Sequence, residues 1–237
     1  MAFTGTNLAP EIQHQLNKIP MIFNIVADPV GNGIVKNYAP TGRNFTGVSH
    51  MVPLEVQAII INDLQIKHVA LIFNPAEPNS VSTVQQLDKC LLSHQLTTTK
   101  FPINSLQIDT LESKYWNNLA IKLQQDKVDL VYLPSDSLVI SHAHDITMAM
   151  HQLKLPTFSA TEEPIHKGAL MGVVSHYAAA GYHAALMAER ILRYKVSAGT
   201  IPISTPYSYL FVINETSMRN LEYYPPVQLL QYAEFTK

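Results

Sequence analysis

The chain has 237 residues, 47% hydrophobic and 14% charged, with 16 basic and 18 acidic residues and a formal net charge of −2. That length suits one large domain or two small lobes, and with no basic run or stripe the sequence argues against nucleic acid as a partner. The single cysteine, Cys90, excludes an intrachain disulfide and a cysteine zinc cluster, and reads as a buried helix residue.

No apolar stretch reaches the roughly 18 residues of a membrane span. The opening residues, MAFTGTNLAP, lack the basic-then-apolar pattern of a secretory signal, so the chain as written is expected to stay cytoplasmic. In chain order, a helix-like segment at residues 10–17 leads into the apolar run IPMIFNIV, then ADPVGNG and a second amphipathic stretch at residues 34–38. APTGRNFTGV reads as a loop with a short strand, and MVPLEVQAIIINDL as a helix with Leu54, Ala58 and Ile61 at helical spacing. HVALIF is a predicted strand, followed by the loop NPAEPNS and a helix from Val81 to His94. TTTKFPI, VDLVYL, LPTFS, GALMGVV and YLFVIN are further predicted strands. SKYWNNLAIKLQQD, LVISHAHDITMAMHQL and YHAALMAERIL are predicted helices, and the tail YYPPVQLLQYAEFTK is expected to pack loosely.

Strands and helices alternate, and most strands are continuous apolar runs. Both features predict a parallel sheet covered by helices on both faces. Ligands of such sheets bind outside the carboxyl ends of the strands. The segments there are ADP (27–29), NPAEPNS (74–80), PSDS (134–137), SATEE (159–163) and SHY (175–177). Each of these hydroxyls and carboxylates has a simpler reading as a helix cap. Their recurrence on one rim favours a polar pocket, because free N–H groups at helix starts also attract anions.

GNG at residues 31–33 lacks the third glycine of a dinucleotide fingerprint, since Lys36 stands in its place. His142 and Asp145 have the spacing to share a helix face, but two ligands are too few for a metal site. No nucleophile elbow or metal-protease motif is present, so neither catalysis nor a cofactor is expected.

The block IPMIFNIVADPVGNGIVKNYAPTGRNFTGVS resembles the first block of bacterial ABC-transporter substrate-binding proteins of the tryptophan-binding-like group. VALIFNPAEPNS, VDLVYLPSDSLV, LPTFSATEEPIHKGAL and YLFVIN resemble their later blocks in the same order. The resemblance implies an α/β fold of two doubly wound parallel-sheet lobes, the type I periplasmic-binding-protein kind. A small polar solute, such as an amino acid, would sit between the lobes and a membrane permease would be the partner. It implies binding without chemistry and a periplasmic or membrane-anchored extracytoplasmic location.

On this reading residues 1–47 form an incomplete first lobe completed by residues 176–205. Residues 48–175 form the second lobe, and 206–237 a crossing strand and tail. The carried-over solute-facing residues are Thr4, Thr6, Asp28, Asn74, Glu77, Ser80, Asp136 and Ser159, joined by His176 and Tyr177. Hydroxyls and helix-start amides would hold a carboxylate, Asp28 or Asp136 an amine, and Tyr177 would form an aromatic wall. Replacement of Asp136 is expected to abolish binding and leave the fold intact.

Two departures from the family pattern stand out. His176 replaces an Asp usually found before the tyrosine, which points to a different solute or a pH-sensitive site. Met1 stands where two strand–helix units would precede, so the first lobe would have an open edge. Poor solubility, a homo-oligomer or a missing N-terminal segment filling that edge is then expected. The alternatives are an orphan or truncated ligand-sensing module of this fold and a small Rossmann-like nucleotide-using enzyme.

Overall fold

The computed structural model describes residues 2–4, 19–103, 105–206 and 208–237, with stretches 2–4 and 105–113 described by their backbone course alone. The helix expected at residues 10–17 lies outside the described residues. The chain divides into two compact units, Met1–Val52 with Ser175–Tyr209, and Pro53–Val174 with Leu210–Lys237.

The first unit opens with β1 (Ala2–Thr4), β2 (Met21–Val26) and β3 (Phe45–Ser49). The second holds α1 (Leu54–Asp63), β4 (His68–Phe73), α2 (Pro78–Ser93), β5 (Thr97–Pro102), α3 (Ser105–Gln125) and β6 (Leu130–Leu133). It continues with α4 (Ser137–Ser141), α5 (Ala143–Gln152), β7 (Thr157–Ser159), α6 (Glu162–His166) and β8 (Met171–Val174). The chain then supplies α7 (Tyr177–Leu192) to the first unit. It returns to the second with β9 (Leu210–Asn214), α8 (Glu215–Leu221), α9 (Val227–Leu230) and β10 (Ala233–Thr236).

The second unit is a seven-stranded sheet of order β10-β9-β8-β7-β6-β4-β5, parallel throughout except where β9 runs against β8. The continuous apolar runs arise because central strands are buried on both faces. Along β4, Ala70 and Ile72 join a core cluster with Trp116, Leu123, Ile146 and Met150. Val69 and Leu71, also fully buried, alternate onto the other face.

In the first unit the parallel three-stranded sheet β1-β2-β3 is likewise packed on both sides. Met21, Phe23 and Val26 join Ile34, Val35 and Phe45 in one cluster, while Ile22 and Ile25 pack with Val48 and the α7 residues Ala180, Ala184, Met187 and Ile191. Simple alternation would put Ile25 with Phe23 and Val26 with Ile22. The swap marks a β-bulge, and the register shifts there from Phe23↔Gly47 to Val26↔Ser49.

Seven non-glycine residues have positive φ. Six of them (Gln65, Gln95, Lys127, Lys154, Lys195 and Glu222) stand within three residues of a helix end, where a left-handed residue closes the last turn. Ile25, at φ 55°, is the exception: a β-branched residue held left-handed inside a strand.

Four local expectations are corrected. Residues 34–38 form turns instead of an amphipathic helix. The Ile34 and Val35 amides both donate to the Pro29 carbonyl, and Gly33 adopts φ 67°. Two adjacent buried residues do not make a helical stripe. The single helix expected over residues 138–153 is two, meeting at His142, which ends α4 and starts α5. The tail is ordered: Leu229 is buried and β10 extends the sheet in parallel register with β9. Cys90, expected to be buried, is half-buried on α2.

Candidate functional site

The polar network at the carboxyl ends of β4 and β6 is built on Asp136. This residue is fully buried and its Oδ1 accepts from the Leu138 and Val139 amides at 2.9 and 3.0 Å, capping α4. Its Oδ2 accepts from the Asn74 amide at 2.7 Å and from the Ser80 hydroxyl. One carboxylate thus joins the end of β4, the start of α2 and the start of α4. Asn74 turns its own Oδ1 to the Ala76 amide at 3.0 Å.

Glu77 lies beside this network, buried, accepting from the Ser137 amide at 2.8 Å and the Ser137 hydroxyl at 2.6 Å. Burial, and then the charge of Asp136, raise its pKa above the ordinary carboxylate value. Asn74, Glu77, Ser80 and Asp136 are therefore brought together, but as a mutually bonded group. Asp136, expected to be dispensable for folding, already has four donors, and its replacement bears on the fold itself.

Ser159 ends β7, with its hydroxyl donating to the Thr161 carbonyl at 2.8 Å and accepting from the Thr161 amide at 3.2 Å. Among the buried side-chain polar atoms without a hydrogen-bond partner are Asn79 Oδ1 in the first turn of α2, Thr161 Oγ1 after β7 and Asn24 Oδ1 on β2. Such atoms are rare in folded proteins and call for a ligand, water or other partner. Trp116 Nε1 on α3 and His151 Nε2 on α5 are unpartnered as well.

In the first unit, Asp28 follows β2, is buried, and accepts the Gly31 amide on Oδ1 at 2.8 Å. Burial followed by the Asp28 charge pushes the Tyr38 phenol pKa up, with Ser49 acting in the opposite direction. The Ser49 hydroxyl donates to the Ala27 carbonyl at 3.0 Å. His176 is exposed and begins α7, lining with Ser49, Ser175 and His183 a small cavity of about 50 Å³. Tyr177, half-buried, sets its ring edge-on to His50 at 5.4 Å and 88°. Thr4 pairs with Asn24 in the β1–β2 ladder, and Thr6 lies outside the described residues.

His50, Ser49 and Tyr38 were not among the expected residues. The strand-end rule points to Ser49 and His50 once β3 extends to Ser49, while Tyr38 lies in the connection before β3, where that rule gives no signal.

His50 is buried and its pKa is pushed down to about 4 by desolvation, against the opposing effect of the backbone at Ile25 and Val26. The Tyr177 ring faces it from α7, and the Ser175 hydroxyl bonds its carbonyl. Between pH 6.5 and 4 the unfolded chain binds a proton that the folded chain does not, so stability falls as pH falls through that window. At pH 5 the expected loss is about 2 kcal/mol relative to pH 7. Glu77, with its raised pKa, acts in the opposite direction, so the contribution is isolated by comparison with His50→Gln. Urea unfolding should show a steeper acid loss for the native chain than for that variant, and equal slopes would contradict the assignment.

Among the described residues no helix is long and apolar enough to cross a membrane.

Residues 2–237 match the family model described as ABC transporter substrate binding protein. The chain is similar to a tyrosine-binding protein of Clostridioides difficile, 28% identical over 207 residues, which cover 86% of this chain and 57% of that protein. It thus spans less than two thirds of this relative. A conserved domain protein from Vibrio cholerae O1 biovar eltor matches with a TM-score of 0.85 at 26% identity, over 100% of this chain and 77% of that one. An ABC domain in complex with L-Trp from Streptococcus pneumonia matches with a TM-score of 0.84 at 22% identity, over 99% and 79%, which shows a shared fold. The family model and the tyrosine-binding relative describe binding proteins rather than enzymes, and the fold shared with the solved structures is α/β of the type I periplasmic-binding-protein kind. With the whole of its described length matched, the chain belongs to the ABC transporter substrate-binding protein family.

Proposed function

We propose that the chain binds a free amino acid, with an aromatic side chain, at the carboxyl-end rims of its two sheets, and delivers it to an ABC permease without chemical change. The observation that supports this most is the set of orphaned buried polar atoms, Asn24 Oδ1, Asn79 Oδ1 and Thr161 Oγ1, which stand where a parallel sheet binds its ligands. The names of the relatives supply the solute class, since one is called tyrosine-binding and another is in complex with L-Trp. An extracytoplasmic location belongs to the same reading.

The ammonium group is assigned to Asp28, the buried carboxylate after β2, as a charge-assisted bond. The four donors on Asp136 give it a structural role. Asn79 and Thr161 would contribute polar contacts from the second unit, and Ser80, Ser159 and the helix-start amides near them would surround the carboxylate. His176 and Tyr177 would border the solute from the start of α7.

A thermal-shift panel of the L-amino acids, dipeptides and simple sugars tests this reading. L-tyrosine or L-tryptophan at 100 times its Kd should stabilise by about 2.7 kcal/mol. A panel in which sugars shift the transition and no amino acid does would overturn the solute class.

A further inference from the structure

We propose that Ser49 is a positioning residue of the solute site: its hydroxyl latches the turn after β2 to β3 at Ala27, and so sets where the Asp28 carboxylate stands. This rests on the amino-acid-binding reading above, in which Asp28 takes the ammonium group.

The turn that carries Asp28 is bonded to itself. Asp28 Oδ1 accepts the Gly31 amide at 2.8 Å, and the Asp28 carbonyl accepts the Asn32 amide at 3.0 Å and Asn32 Nδ2 at 2.7 Å. The Gly33 amide donates to the Val30 carbonyl at 2.9 Å, and the Ile34 and Val35 amides donate to the Pro29 carbonyl at 3.0 Å. A turn closed by so many internal bonds moves as one piece. The placement of Asp28 is therefore decided where the turn joins the sheet, at Ala27.

The backbone ladder gives out at that joint. Past the bulge Val26↔Ser49 is the last pair of β2 and β3, and the His50 amide reaches the Val26 carbonyl at 3.3 Å. One residue further a side chain takes over: Ser49 Oγ donates to the Ala27 carbonyl at 3.0 Å. Ser49 is 1% exposed, and its Oγ also accepts the Met51 amide at 3.3 Å. A carbonyl only accepts and an amide only donates, so the hydroxyl proton belongs to Ala27.

The anchor is itself fixed within the first unit. The Ser49 amide donates to the Ser204 carbonyl at 2.9 Å, and the Ser175 hydroxyl donates to the His50 carbonyl at 2.6 Å. Ile25, left-handed at φ 55°, stands two residues before Ala27, and such a conformation persists only where its surroundings hold it. Without the latch, the end of β2 has a strained residue at hand through which to relax.

Calorimetric titration of L-tyrosine into the native chain, Ser49→Ala, Asp28→Asn and the double variant tests the assignment, with hydrogen–deuterium exchange run alongside. Ser49→Ala should weaken L-tyrosine tenfold or more and speed exchange of the His50 amide at least tenfold. The amides of residues 31–35 and of 53–174 should stay within about threefold of native, which a general loss of packing would not allow. Combined with Asp28→Asn, Ser49→Ala should cost less than about threefold more, because a residue that acts through Asp28 then has nothing left to position. Unchanged affinity in Ser49→Ala overturns the proposal, whatever the exchange shows, and so does a double variant whose loss is the product of the two single losses. If neither L-tyrosine nor L-tryptophan binds the native chain, the amino-acid reading falls and takes this role with it; binding with native strength in Ser49→Ala removes the role alone. Should Ser49→Ala not fold, Ser49→Cys, whose thiol is a weak donor, takes its place in the cycle. A loss shared with Asp28→Asn then supports the proposal, and native affinity or a multiplying loss overturns it.

Discussion

Asp136→Ala is expected to destabilise the second unit by about 3 kcal/mol or more, read as a lower midpoint in urea unfolding. The substitution strands the amides of Asn74, Leu138 and Val139 and the hydroxyl of Ser80, all of which bond one fully buried carboxylate. Each buried donor left without a partner costs about 1–3 kcal/mol, although those at a helix start recover part of this from water. Against a typical domain stability of about 5–15 kcal/mol, the loss is large. Asp136→Asn keeps one acceptor oxygen and should lose roughly half as much. A wild-type midpoint for Asp136→Ala would show that the four bonds contribute nothing net.

Gly172→Ala is expected to be comparably damaging for a different reason. Gly172 lies in β8 opposite Ser159 of β7, and a Cβ at this position would collide with the Ser159 carbonyl oxygen and lie 3.0 Å from its carbonyl carbon. The obstacle is backbone in the middle of a parallel sheet, which no rotamer change relieves. A third contact, Ile165 Cδ1 at 3.1 Å, closes the remaining space. Overpacking in a core costs about 1–3 kcal/mol and more where backbone must move, so a loss of about 3 kcal/mol with weakened β7–β8 pairing is expected. Amide exchange at residues 157–159 and 171–174 reports it directly. Native protection there would mean that the two strands separate without cost.

The strands were legible because their residues are buried on both sides. HVALIF and VDLVYL cannot lie at a half-wet surface, and the structure places β4 and β6 side by side in the middle of a parallel sheet. The rim at residues 74–80 and 134–137 was legible for the same reason, since polar residues crowd where an apolar strand stops. What local rules could not supply is partnership. Nothing in the order of residues says that Asp136 bonds the amide of Asn74, 62 residues earlier, or that Ser137 bonds Glu77.

The bulge was hidden because Ile25 is an ordinary strand residue by type, and the register shift between β2 and β3 at which it turns left-handed is a property of strand pairing that only the fold creates. Residues 34–38 misled because Ile34 and Val35 are apolar neighbours whose burial comes from the turns after Pro29. The tail misled through its diproline, which ends one segment without preventing α9 and β10 from forming beyond it.

Calorimetric titration of L-tyrosine and L-tryptophan into the native chain and into Asp28→Asn tests the central claim most directly. The account predicts saturable binding of at least one of them to the native chain and a loss of tenfold or more in Asp28→Asn, because the substitution removes the negative charge paired with the ammonium group. Binding of equal strength to both proteins, or equal binding of the N-acetylated amino acid, would contradict it.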